Sequence, residues 1–171
     1  MNRQETAAEL ILELGRLIVG HPSKLKSRSR QFGTGMVLYL QAVKSDTGRL
    51  IGPSGTIHKS LKELGCEIAL AEFDLLVEEP NEDARSVTHK LWAGEKARHI
   101  LDRVLVTIFN GDFKMVWRPD GASDLVEIEL GSGFDQDRTE RVSESLKVIF
   151  NAVGRAHNRV IKIWLAEAVK K

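Results

Sequence analysis

Cysteine is nearly missing from this chain: Cys66 is alone among 171 residues. A single thiol forms no internal disulfide and builds no structural zinc site. Cys66 falls in an apolar helical pattern and reads as a small packing residue. The five histidines, His21, His58, His89, His99 and His157, lack paired ligand spacing, so neither a metal nor another cofactor is expected. Aromatic residues make up only 6% of the chain, and Trp92, Trp117 and Trp164 are isolated from one another. Trp92 and Trp117 are expected between packed elements, and Trp164 on an open strand face. No window approaches the roughly 20 apolar residues of a membrane span. From the first residues, Met-Asn-Arg-Gln-Glu-Thr, no secretory leader is expected. Neither sign of charge dominates, with 25 basic and 24 acidic residues. A cytoplasmic protein without a membrane partner is the expectation.

Within that balance one stretch is basic. Between Lys24 and Lys62 the cations are Lys24, Lys26, Arg28, Arg30, Lys44, Arg49, Lys59 and Lys62, with Asp46 as the sole acid among them. A local basic stretch in a neutral protein is an electrostatic footprint for phosphates. For residues 24–30, where cations alternate with Leu25, Ser27 and Ser29, an edge strand guarded by charge accounts equally well for the pattern.

The sharpest feature lies inside this stretch. Gly52-Pro53-Ser54-Gly55 follows the apolar pair Leu50-Ile51 and precedes Ile57, Leu61, Leu64 and Ile68, one face of an amphipathic helix. Two glycines three apart permit a bend that side-chain-bearing residues adopt only at a cost, and they leave space beside the backbone. Upstream, residues 7–19 show helical spacing, with Thr6 as N-cap and Glu9 as its capping-box partner. Residues 24–30 read as a strand, 33–35 as a turn, 36–43 as a hydrophobic strand and 73–79 as a final strand. The segment therefore reads helix, strand, strand, helix, glycine bend, helix, strand.

That order and that motif resemble the type II, bacterial form of the KH domain. Over about residues 5–79 the segment is similar to the small KH proteins of the KhpA (YlqC) family. They carry glycine, a basic residue, an apolar residue, Ile-Gly-x-x-Gly and then a helix with Lys and Leu where Lys59 and Leu61 stand here. The resemblance implies an RNA-binding fold whose glycine loop lets the two backbones approach. It implies contacts from Arg49, Leu50, Ile51, Gly52, Pro53, Ser54, Gly55, His58, Lys59 and Lys62, with Lys26 and Arg28 nearby. Pro53 departs from the family pattern: it lacks an N–H and fixes φ, so the loop is expected to be stiffer and to grip phosphate more weakly. The ending Lys59-Ser60 imitates a nucleotide-binding P-loop, but His58 stands where that motif needs glycine.

The second half is less explicit. Residues 87–109 read as a helix, 113–117 and 125–130 as strands joined by a turn at 118–121, 143–157 as a helix and 160–165 as a strand. The order repeats the first half without its glycine motif. Where that loop would fall, at residues 133–142, stand Asp135, Asp137 and Glu140. The half reads either as a degenerate KH-like copy or as an unrelated α+β domain. The expected organisation is a KH domain at 1–79, an acidic linker at 80–85 and a second α+β domain at 86–171. Glu127 and Glu129 share a strand face and read as solvated.

The expected function is binding of single-stranded RNA in bacterial RNA metabolism, without enzymatic activity; single-stranded DNA remains open. The alternative is a protein-interaction or dimerisation module that has lost RNA binding, with the second half recruiting a partner or a second copy.

Overall fold

Helix α1, Arg3–Ile18, begins at Asn2 rather than Thr6. The Asn2 side chain accepts the Glu5 N–H at 2.8 Å, and Glu5 Oε2 accepts the Asn2 N–H at 2.9 Å. The capping box thus lies one turn earlier than the sequence predicts. Thr6 sits inside the first turn, its hydroxyl donating to the Asn2 carbonyl at 3.1 Å. A 3-10 turn at Pro22–Lys24 then delays the first strand, β1, to Lys26–Phe32. Next come β2 at Gly35–Gln41, α2 at Lys44–Ile51, a 3-10 turn at Pro53–Gly55, α3 at Thr56–Ala69 and β3 at Phe73–Glu78. The second half contributes α4 at Gly94–Phe109, β4 at Phe113–Asp120, β5 at Ser123–Leu130, α5 at Gln136–Ala156 and β6 at Val160–Glu167. This computed structural model describes residues 1–78 and 92–167. The predicted linker at 80–85 and the predicted helical start at 87–91 lie outside the described residues.

The fold is α+β, with two three-stranded sheets ordered β1-β2-β3 and β4-β5-β6. In each sheet the first two strands pair antiparallel and the last two pair parallel. The predicted turn at 118–121 is mostly strand: Pro119 pairs opposite Asp124, and the chain reverses at Gly121 and Ala122. Proline is tolerated there because β4 is an edge strand with no neighbour on its other side.

Helix α5 starts seven residues before the predicted 143, at Gln136. Asp135 caps it by accepting the Arg138 N–H at 2.7 Å, and Thr139 and Val142 are buried. Most of the segment expected to replace the glycine loop is therefore helix.

Periodicity decides what each element buries. On α3, Ile57, Leu61, Leu64 and Ile68 face inward, as do Leu146, Ile149, Phe150 and Val153 on α5. Helix α3 packs against α5, and α1 packs against both α4 and α5. One continuous apolar core contains residues from both halves. Polar ties reinforce the seam: Arg138 and Arg141 both meet Glu67, at 2.7 and 3.2 Å, and Arg103 meets Glu9 at 3.1 Å. Among the described residues no helix is long and apolar enough to cross a membrane.

Candidate nucleic-acid interface

The glycine bend is held from below by α2. Asp46, at the start of α2, is almost fully buried and accepts the N–H groups of Gly20 at 2.8 Å and His21 at 2.9 Å. It thereby ties α2 to the chain leaving α1. Leu50 is fully buried and roots the far end of α2, whereas its neighbour Ile51 is exposed.

Beyond Ile51 the backbone takes positive φ at three of four positions: 74° at Gly52, 53° at Ser54 and 74° at Gly55. Pro53 and Ser54 are exposed at the tip. The two glycines have different physical reasons. A Cβ at Gly52 would stand 2.6 Å from Ile57 Cγ1, so this position is glycine to admit the first apolar side chain of α3. A Cβ at Gly55 would meet nothing within 4 Å, so there the open space lies outside the protein. Thr56 secures the bend through its hydroxyl, which donates to the Pro53 carbonyl at 2.9 Å.

The charged residues around the bend are unequally available. Lys59 is well exposed, with Glu63 at 3.8 Å, and Arg49 is half exposed, with Asp46 also at 3.8 Å. Lys62 is held more tightly, 3.0 Å from Asp74 on β3. Their hydrogen bond raises the Lys62 pKa and is the main cause holding the Asp74 carboxyl below its usual range. His58 places Nε2 2.6 Å from the Leu75 carbonyl oxygen and so belongs to the α3–β3 contact.

Lys26 and Arg28 are not brought to the bend. They lie on β1, opposite Gln41 and Tyr39, on the sheet face turned away from the helices. The Arg28 guanidinium lies 3.8 Å from the centre of the Tyr39 ring and donates to Glu78 at 2.7 Å. Strand alternation indicates which β1 residues share a face but not which face looks toward the helices. All of β1 is exposed, as an edge strand guarded by charge requires.

A groove of about 460 Å³ runs beside the bend. Its near side is formed by Gly48, Arg49, Gly52 and Pro53, with the almost fully buried Ile18 and Ile57 behind them. Its far side is the end of α5, including Arg155 and Asn158. Among the described residues no acidic side chain lines it. No family model matches this chain. No curated protein matches it either.

Sequence reasoning missed Arg155, which reads there as an ordinary basic residue in the last turn of a helix. Of the tryptophans, Trp92 meets His157 edge-on at 5.0 Å and Trp117 meets Phe150 at 6.2 Å, both between elements. Trp164 is 67% exposed on the outer face of the second sheet.

Proposed function

We propose that this protein binds single-stranded RNA at the bend formed by residues 52–55, in the manner of a type II KH domain. The observation that carries the reading is an exposed Gly-Pro-Ser-Gly turn with three positive φ values between two helices packed on a three-stranded sheet. Such a turn lets a phosphodiester backbone lie against the polypeptide. Arg49 and Lys59 supply charge, and the uncapped start of α3 adds a favourable dipole. Binding is weak and salt-dependent, because Pro53 removes one amide donor and Lys62 is already paired.

Filter binding with short single-stranded RNA across a salt series tests this. Each phosphate contact adds about −0.7 to the slope of log K against log salt, so Arg49 and Lys59 together account for about −1.4. The double variant Pro53→Asp, Ser54→Asp loses binding while its far-UV circular dichroism is retained. Binding unchanged in that variant rejects the reading.

The exposed Trp164 face and the paired state of Lys62 favour a second reading, a protein-interaction module. It gains if the chain fails to bind RNA at low salt and Trp164→Ala disrupts self-association.

A further inference from the structure

We infer that the second half supplies part of the RNA site, with Arg155 at the end of α5 contacting a phosphate of the same strand that passes the 52–55 bend. This rests on the proposed RNA-binding function and extends it to a residue outside the glycine motif. The groove beside the bend is bounded by both halves and carries an arginine on each side, Arg49 from α2 and Arg155 from α5. Among the described residues no carboxylate lines the groove, and Arg49 has the buried Asp46 at 3.8 Å. Arg155 is exposed and makes no ion pair among the described residues.

The end of a helix ordinarily repels anions through its last carbonyls. Here two of them are occupied. The Gly154 carbonyl accepts from the N–H groups of His157 at 3.0 Å and Arg159 at 2.8 Å, and the Arg155 carbonyl accepts from Asn158 at 3.4 Å. Ala152 and Ala156, one turn apart on α5, keep this side of the groove low. Pro53, exposed, and Ala156, half-buried, offer apolar surface for a base, whereas Ile18 and Ile57 are almost fully buried. Two cations across an apolar floor suit a nucleotide whose flanking phosphates point to either side. The groove is continuous with the bend, since Gly52 and Pro53 belong to both.

The experiment is fluorescence anisotropy of the full chain with a labelled ten-nucleotide oligouridylate, between 50 and 300 mM salt. Arg155→Gln should weaken binding about threefold to fivefold at low salt. It should also reduce the steepness of the salt dependence by about 0.7. Arg155→Lys, which keeps the charge, should restore the wild-type slope, and circular dichroism should show both variants folded. If the Pro53→Asp, Ser54→Asp variant loses binding while Arg155→Gln matches wild type, the α5 contact is wrong and the bend stands. If Arg155→Gln lowers affinity and slope while the loop variant does not, the groove contact stands and the bend is wrong. If wild type binds no oligouridylate, both fall. Full displacement of the oligonucleotide by equimolar uridine monophosphate overturns the strand assignment in favour of a mononucleotide pocket.

Discussion

The two halves share a strand plan and differ in one insertion. Each forms a three-stranded sheet with the same order and pairing senses. Between β2 and α3 the first half places α2 and the glycine bend, while residues 131–135 alone separate β5 from α5. Helix α5 is correspondingly longer, 21 residues against 14 in α3. The second half therefore completes its sheet and its share of the core without a counterpart of α2 or the bend. That helix and that bend are dispensable to the strand plan, which is why they are the place to look for function. The second half also covers the helices of the first and borders its groove.

Cutting the shared core should have the largest effect. Phe150→Ala, at a fully buried position on α5, should cost about 3–5 kcal/mol. All three tryptophans lie in the second half, so their fluorescence reports on that half while circular dichroism reports on both. The two signals should trace the same urea transition in wild type and variant. Separated midpoints would show that the halves unfold independently, and the comparison would become one between two domains.

The two glycines of the bend should separate next. Gly52→Ala combines a backbone region reserved for glycine with a clash on Ile57, and should cost about 2–4 kcal/mol. Gly55→Ala carries only the left-handed penalty, about 1–2 kcal/mol. Equal losses in urea titrations would mean that Ile57 yields and that Gly52 is not a packing glycine.

Smaller effects attach to Lys62 and Asp74. If the proposed RNA site is right, Asp74→Asn, which releases the Lys62 ammonium, should strengthen oligonucleotide binding about twofold to fivefold at low salt. Unchanged affinity would place Lys62 outside the interface. The pair also sets a weak pH dependence. The Asp74 pKa is depressed, so its contribution is complete above the ordinary value of 3.8 and fades as pH falls through the lower folded value. The Lys62 pKa is raised, so its contribution is complete below 10.5 and fades as pH climbs through the higher folded value. Both groups are partly exposed, and the effect should stay below about 0.5 kcal/mol and shrink in salt. A loss on the acid limb that persists in Asp74→Asn would assign it to other carboxylates.

The helical face of α3 and the glycine bend were both legible in the residues. Each depends on neighbours within one or two turns of chain. The start of α5 was not legible in that way: Asp135, Asp137 and Glu140 read equally as loop acids, whereas Asp135 is an N-cap and acids favour a first helical turn. Thr6 lies inside α1 because Asn2 offers the same cap one turn sooner.

The amino-acid order alone determined which apolar side chains of α3 share one face and where the chain bends. Those follow from local sterics and from spacing along a helix or strand. Packing decided that Lys26 and Arg28 face away from the helices, that Lys62 is held by Asp74, and that Arg155 borders the groove at the bend. These depend on contacts between residues far apart in the chain, and local periodicity carries no information about which distant surfaces meet.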